Sequence, residues 1–228
     1  MAPAAESPAL GGRTAEAGTA ADTRVTDLIR GAIIRGEYAP NQRLIEADLS
    51  GAFAASRATV RTALLELAGE GLVERLPNRG SRVRAISVEE AIEILEVRIG
   101  VEGLCAAKTA AALSDRDAAE LLDLRARMIE SVAEGDLVEY SRLNLSLDNR
   151  IRELSHHTIA AEVLARLHAQ GVRHQFKLSS RPQRAKVSVL EHAAIIDAVV
   201  ARDPDAAEQA VRSHLLSVIA ALRELPAA

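Results

Sequence analysis

Two arginines, Arg57 and Arg61, stand four residues apart, so that on a helix they share one face. The residues on and beside that face are small, namely Ala58, Thr59 and Thr62. A guanidinium group offers two parallel N–H donors, which match the two acceptors on the guanine edge in the major groove of DNA. The types and the spacing of these residues therefore predict a helix that reads DNA.

The alternative is that both arginines only solvate an ordinary surface helix, as single arginines usually do. Residues 55–84 hold six arginines and three acidic residues, and the arginines concentrate at the start of the helix and in a later turn. This concentration favours DNA binding over simple solvation of the helix.

A second set of residues has the chemistry of a metal site. Asn144 and Asp148 are four apart on one predicted helix, while His192 and His214 lie on two later helices. Four such side chains converging in the core of a helical bundle can bind a divalent metal through oxygen and imidazole. The alternative is a metal-free polar pocket in which Asp148 pairs with one of the histidines, because isolated histidines on apolar helices are usually hydrogen-bonded core residues.

The helix that carries the two arginines has clear boundaries. Val60, Leu64 and Leu67 fall at i, i+4 and i+7, which predicts a buried stripe on a helix of about three turns. Ser56 can cap its start, and Gly71 ends it. This helix therefore has one face for a core and another face for DNA.

The surrounding elements complete a winged helix-turn-helix. Residues 72–75 and 81–84 alternate around a turn at 77–80, which predicts a β-hairpin. Two helices are predicted upstream, at about residues 22–35 and 45–53. Three helices and a hairpin thus form a compact domain at residues 21–85, preceded by a flexible arm at residues 1–20 that is rich in Ala, Pro, Gly and Ser.

The second half of the chain, residues 86–228, is predicted to be an all-α bundle of about six helices, so the fold class is mainly α. Its predicted breaks coincide with turn residues and helix caps, such as Ser114 and Gly135. No strand pattern and no repeat of fixed period appears in this half. The predicted segments are about 87–112, 114–134, 136–155, 158–178, 183–202 and 204–224.

Composition restricts the class of protein further. The net charge of −4 gives no general affinity for nucleic acid, but residues 21–86 hold ten arginines against eight acids, a mildly basic head on an acidic body. Cys105 is the only cysteine, which excludes an intrachain disulfide and predicts a buried, reduced thiol. There is no apolar run of 18 residues and no signal peptide pattern, so a DNA regulator of bacterial type is expected in the cytoplasm.

The chain resembles the GntR family of bacterial transcription regulators, in its FadR-like branch with an FCD effector domain. The resemblance covers about residues 22–224. In the head it rests on the stretches 33–40, 43–46, 56–61 (SRATVR), 70–73 (EGLV) and 77–80 (PNRG), and in the second half on 96–102 and 191–198.

The resemblance implies DNA contacts from the helix and from the wing. Arginine contacts to guanine would give base specificity, and wing contacts to phosphate would give affinity without sequence information. Many family members have proline in place of Thr59, and several have arginine in place of Ala47, so the resemblance implies one base contact fewer and a different operator for this chain. The implied contact residues are Ser56, Arg57, Thr59, Arg61, Asn78, Arg79 and Gly80.

In the helical half the resemblance implies a metal and an acidic ligand. Metal-binding FCD domains have Asp or Asn, a histidine four residues later and then two further histidines, and Asn144, Asp148, His192 and His214 occupy those positions. Asn144 replaces the commoner Asp and Asp148 replaces the first histidine, so zinc, nickel or manganese are candidates, with either a harder ion than zinc or weaker binding expected. Arg98 is where the family often places an arginine that faces the ligand, and its alternative is an intrahelical pair with Glu102.

These features predict a ligand-responsive regulator that forms a homodimer through its helical domain and binds a palindromic operator. The resemblance implies a repressor, since most members of the family are repressors. A small carboxylate effector in the bundle would change its affinity for DNA. Two alternatives are an architectural DNA-binding dimer without an effector and a metal-dependent hydrolase. The hydrolase would leave the winged helix unexplained, and the sequence has no HExxH motif and no evident general base beside the cluster.

Overall fold

The computed structural model describes residues 24–77, 79–179 and 181–224. The chain divides into two compact units, of which the first ends at Ala85 and the second begins at Ile86. In the described residues of the second unit every regular element is a helix, and the first unit combines helices with a small sheet. The prediction of a mainly α protein with a winged head and a helical second half is confirmed.

The head unit contains three helices and a three-stranded sheet in its described residues. Helix α1 covers residues 24–34. It is followed in chain order by β1 (Arg43–Leu44), α2 (Glu46–Ala52), α3 (Arg57–Gly69), β2 (Val73–Leu76) and β3 (Gly80–Val83). The sheet is antiparallel with strand order β1–β3–β2. The predicted hairpin is therefore present, and the strand β1 along its outer edge was not predicted.

Helix α3 forms where its apolar spacing predicts. Val60, Leu64 and Leu67 are buried in the core of the head unit, and the Oγ of Ser56 accepts a hydrogen bond from the amide of Thr59 at the start of the helix. The chain leaves the helix at Gly71, whose φ of 77° lies in the left-handed region that favours glycine. The buried stripe fixes which face of α3 is left for a partner.

The helical unit contains six helices in its described residues, in agreement with the predicted number. Most of them begin at a residue whose side chain caps the helix by accepting an amide N–H, as Ser87, Ser114, Asp136 and Asp203 do. The helices are α4 (Val88–Ala112), α5 (Asp115–Glu134), α6 (Leu137–Leu154), α7 (Thr158–Ser179), α8 (Pro182–Val200) and α9 (Pro204–Arg223).

Helix α4 is the central element of this bundle, since it packs along α9 and also contacts α6, α7 and α8. The core is almost entirely aliphatic, and Tyr140 on α6 is its largest fully buried side chain. Aliphatic side chains let the helices approach closely, so the few polar groups that lie between α4, α6, α7, α8 and α9 are forced into contact with one another. Within the described residues, no helix is long and apolar enough to cross a membrane.

Candidate functional site

The exposed face of α3 presents Arg57 and Arg61 to solvent. Arg57 is the first residue of the helix, directly after the cap Ser56. Among the described residues, no hydrogen bond or ion pair engages the guanidinium of Arg57, so it is available to a ligand. Thr59 lies half-buried beside the cap, where its hydroxyl accepts a hydrogen bond from Ser56 at 3.0 Å.

Arg61 is held by a carboxylate of the neighbouring helix. Its Nε donates to Glu46 Oε1 at 3.1 Å, and its Nη2 donates to Glu46 Oε2 at 2.8 Å. These two hydrogen bonds, helped by the charges of Arg61 and Arg57, lower the pKa of Glu46, so that it is ionised at neutral pH. The two arginines of α3 therefore differ, because one is unconstrained and the other is fixed in direction.

The wing has a turn that positions basic residues near its tip. Gly80 has a φ of 80°, which the tight turn between β2 and β3 requires of it. Arg79 is exposed, and its carbonyl accepts a hydrogen bond of 2.7 Å from Nη2 of Arg43 on β1. The strand β1 therefore supports the wing as well as extending the sheet. Asn78, which is also predicted to contact DNA, lies outside the described residues.

The helical unit contains a partly open cavity, and three of the four predicted metal ligands lie along its lining. Asp148, His192 and His214 all line it, from α6, α8 and α9. The cavity has a volume of about 30 Å³, which has room for an ion or a few water molecules. Its other polar lining residues are Glu102, Cys105, Arg152 and His168.

The two histidines are held by hydrogen bonds through the same ring nitrogen. Nδ1 of His192 lies 3.1 Å from the hydroxyl of Tyr140, and Nδ1 of His214 lies 2.8 Å from a carboxylate oxygen of Glu191. The ring centroids are 4.3 Å apart. Burial, and then the neighbouring His214, lower the pKa of His192 well below its ordinary value, so this ring is neutral. Both rings thus have a fixed orientation, with Nε2 as the nitrogen left to face a ligand.

Glu191 is ionised in its partly buried position. Burial opposes its ionisation, but hydrogen bonds from His214, Arg184 and Ser217 outweigh this effect and lower its pKa to about 2. Nη2 of Arg184 lies 2.8 Å from the carboxylate. An ionised carboxylate behind a histidine is the arrangement that orients metal-binding imidazoles in many proteins.

Arg98 forms the intrahelical pair with Glu102 that was the alternative to a direct ligand contact. Its Nε donates to Glu102 Oε1 at 2.6 Å, and the side chain of Arg98 is buried while that of Glu102 is partly buried. Burial disfavours the charged form of Glu102, but the charge of Arg98 and a hydrogen bond from His168 outweigh it and hold its pKa well below the usual range. Glu102 lines the cavity, so Arg98 is connected to the cavity through this carboxylate.

His168 extends this connection to the predicted metal ligands. Its Nε2 lies 2.8 Å from Glu102 Oε1, and its Nδ1 lies 3.8 Å from Asp148 Oδ2. That Nδ1 is buried without a hydrogen-bond partner. Burial raises the pKa of Asp148, although the charge of His168 counteracts the effect. A donor or cation bound between these two atoms would satisfy the buried Nδ1 of His168.

The donors present fit a divalent metal in chemical type, although they are not drawn together. Asn144 is buried, and its Oδ1 has no hydrogen-bond partner, which is costly unless a ligand satisfies it. With Asp148 and the two oriented imidazoles, it completes a set of oxygen and nitrogen donors. Over the described ranges, however, no three His, Cys, Asp or Glu side chains are close enough to hold a metal as they stand. Metal binding would therefore require these side chains to move closer.

Two further residues belong to these sites, and only one of them, His168, is indicated by its spacing in the sequence. His168 follows Ala160 and Leu164 at helical spacing, and all three are buried. A polar residue on a buried stripe needs a partner, which indicates a functional or structural cluster. Glu46 had no predicted role, and nothing in its spacing shows that it meets Arg61, because the two lie on different helices.

Comparison with protein families gives two matches that together cover most of the chain. Residues 21–83 match the family described as bacterial regulatory proteins, gntR family. Residues 93–217 match the FCD domain.

Relatives and solved structures match over similar ranges. The chain is 24% identical over 198 residues to the HTH-type transcriptional repressor RspR of Escherichia coli (strain K12), with 87% of each chain covered. It is 30% identical over 196 residues to an uncharacterized HTH-type transcriptional regulator in an unstable DNA locus of Streptomyces ambofaciens, covering 83% of this chain and 80% of the relative. The structure of E. coli McbR/YncC has the same fold, with a TM-score of 0.78, 21% identity and coverage of 90% of this chain and 97% of that chain.

Proposed function

Because the chain belongs to the GntR family of bacterial regulatory proteins and carries an FCD domain, we propose that it is a ligand-responsive repressor that binds a palindromic operator as a homodimer. The family and the relatives are transcription regulators rather than enzymes. The observation that carries the proposal is the pairing of an exposed arginine face on α3 with a polar cavity in the helical unit. Such a protein acts in the cytoplasm, where bacterial DNA lies.

The DNA interface consists of α3 and the wing. Arg57 and Arg61 enter the major groove and contact guanine, while Arg79 and the amide of Gly80 contact phosphate. Ser56 and Thr59 are linked by hydrogen bonds at the start of α3, next to Arg57, and belong to the same proposed interface. Asn78, which lies outside the described residues, is assigned to this interface because it stands between Pro77 and Arg79 in the sequence. Base contacts provide the sequence preference, and phosphate contacts make the affinity depend on salt.

The homodimer forms through an apolar face of the helical unit. Val97 and Leu104 on α4 are exposed large hydrophobic residues, seven positions apart on one helix face. Gly100 lies between them, and the space beside its Cα is open. A small residue between two apolar ones lets a second helix approach closely, which suits a symmetric contact between two copies of α4.

Replacing Leu104 by glutamate is expected to convert the dimer to a monomer and to lower operator affinity, since each monomer brings only one α3 to the palindrome. Sedimentation of the full chain measures the mass directly. The exposed Ile159 of α7, changed to glutamate in the same way, is a control for added surface charge. If the wild-type protein sediments as a monomer while it binds its operator tightly, the proposed dimer is wrong.

The effector is a small organic acid, and its binding site is the cavity of the helical unit. Two of the lining residues, Glu102 and Asp148, are carboxylates, so an anionic effector needs positive charge at the site. Arg98 supplies that charge when it releases the carboxylate of Glu102 and pairs with the carboxylate of the effector instead. Asn144, Asp148, His192 and His214 would hold a divalent metal such as zinc, nickel or manganese, and the metal would add charge. The small size of the cavity means that binding requires the surrounding side chains to rearrange.

This rearrangement is the proposed source of regulation. An effector that binds only the rearranged helical unit favours that state at the expense of the ligand-free state. If the two states hold the heads at different spacing, the effector changes the affinity for the operator. By linkage, the operator changes the affinity for the effector by the same free energy. A change of less than about twofold in operator affinity would correspond to under ~0.4 kcal/mol, and the domain would then serve dimerisation alone.

Metal binding is tested by thermal unfolding of the chelator-treated full chain with zinc, nickel or manganese salts. At a hundredfold excess over its Kd a ligand stabilises the folded state by about 2.7 kcal/mol, which for a protein of this size raises Tm by roughly 5 to 10 °C. The variant His214→Ala is expected to lose this increase. His156→Ala, in the exposed loop before α7, is expected to keep it.

An absence of any metal-dependent increase would leave a metal-free cavity, and the same assay with a panel of small organic acids would then test the effector alone. Failure of every acid to stabilise the protein, with operator binding intact, would favour an architectural DNA-binding dimer.

A further inference from the structure

The bond between Arg61 and Glu46 occupies one defined edge of the guanidinium. The bonded atoms are Nε and Nη2, at 3.1 Å and 2.8 Å from the two carboxylate oxygens. These two atoms form the side edge of the group, so the carboxylate lies beside the guanidinium rather than in front of it. The terminal edge, formed by Nη1 and Nη2, keeps its outward N–H bonds, and the side chain of Arg61 is 64% exposed.

The terminal edge is the one that suits a base at the end of an extended arginine. It presents two parallel donors along the direction of the side chain, and guanine presents O6 and N7 to the major groove. An arginine without a side partner can turn either edge toward DNA and can also swing to a phosphate. An arginine held along its side edge has fewer options, which lowers the entropy lost when it binds a base.

On the premise that α3 reads DNA as proposed above, we propose that Glu46 sets the base preference of Arg61. It holds the guanidinium so that the terminal edge meets guanine, and it disfavours the alternative in which Arg61 binds phosphate. Glu46 is a positioning residue in this role, since it acts on DNA through Arg61.

The placement of Glu46 suits this task. It is the first residue of α2, where the free amides of the first turn favour a negative charge. Its backbone is fixed by the helix, with its carbonyl accepting a hydrogen bond of 2.7 Å from Ser50. A carboxylate near DNA repels phosphate, so its presence beside a DNA-binding arginine costs affinity. A gain in discrimination between bases would offset this loss of affinity.

The test uses the full chain and DNA of defined sequence. A binding site is first selected from a random double-stranded library by the wild-type protein, and each base pair is then substituted singly. The base pair read by Arg61 is the one whose discrimination disappears in Arg61→Ala. At that base pair, Glu46→Gln is expected to reduce discrimination by about tenfold, because the amide accepts one N–H and opposes the other with its own donor.

Two comparisons separate positioning from a general effect of charge or stability. Glu70→Gln removes the same charge from an equivalent pair with Arg30, where Nε and Nη2 donate at 2.8 Å and 2.6 Å. This control is expected to leave the base preference unchanged. In the double variant Glu46→Gln/Arg61→Ala, Glu46→Gln is expected to have no further effect on base preference, since the positioned group is gone.

The outcomes are distinct. If the wild-type protein selects no sequence, the proposed function fails. If Arg61→Ala leaves every base preference intact, the reading of DNA by Arg61 is wrong. If Arg61 matters while Glu46→Gln binds all sequences more tightly by the same factor, Glu46 is a competitor of DNA for Arg61, and the positioning proposal is overturned.

Discussion

Replacing Arg57 by alanine is expected to weaken binding to the selected operator by on the order of 100-fold or more, which is among the largest effects available in the head unit. A bidentate contact to guanine contributes about 1–3 kcal/mol, and a symmetric dimer makes the contact twice. Arg57 is exposed at the first position of α3, and among the described residues its side chain has no protein partner to lose. Its substitution therefore acts on DNA binding alone.

The measurement is a titration of labelled operator, repeated at several salt concentrations. Arg116→Ala serves as the control, because the side chain of this arginine is 88% exposed and belongs to α5 of the helical unit rather than to the head unit. Loss of a base contact lowers affinity for the operator much more than for random DNA, whereas loss of a phosphate contact lowers both equally. If Arg57→Ala and Arg116→Ala bind the operator alike, α3 does not read the site through Arg57.

The positions of the helices could be predicted closely from sequence, because most of their boundaries depend on local chemistry. A capping side chain marks the start of α5 at Ser114, and a glycine with a φ of 80° marks its end at Gly135. The short strand β1 has no such signal. Its two residues, Arg43 and Leu44, become a strand only because β3 passes beside them, with Arg82 opposite Arg43.

The members of each site could be predicted only in part, because sequence spacing describes one helix at a time. Asp148, His192 and His214 do line one cavity, but the sequence could not show that His168 joins them from α7. The carboxylate that fixes His214 is Glu191, which lies on another helix. Such contacts follow from how the helices pack, and packing is determined by the aliphatic core rather than by the polar residues themselves.

The pair of Arg98 with Glu102 has the clearest consequence for stability. Both residues lie on α4, and the side chains of Arg98 and Glu102 are 6% and 15% exposed. Replacing Arg98 by methionine leaves the carboxylate of Glu102 in the core with His168 as its remaining partner. Removal of one member of a buried ion pair costs about 3–5 kcal/mol, so we expect a loss of that order in the free energy of unfolding. Urea denaturation of the full chain measures it.

Two further variants identify the cause of that loss. In Arg98→Met/Glu102→Gln the amide is neutral and its oxygen still accepts from His168, so most of the stability is expected to return. Arg116→Met breaks a pair with the same i,i+4 spacing, Arg116 with Glu120, at the surface and is expected to have little effect. If Arg98→Met and the wild type have the same free energy of unfolding, the pair does not stabilise the fold.

The same variants decide what Arg98 does for an effector. If Arg98 contacts an organic acid directly, the stable double variant Arg98→Met/Glu102→Gln folds normally but is no longer stabilised by any acid that stabilises the wild type. If Arg98 only neutralises Glu102, the double variant keeps that response, because the neutral amide at position 102 needs no counter-charge. Thermal unfolding with and without the acid separates the two results. Helix α4 thus connects folding to ligand binding through one buried ion pair.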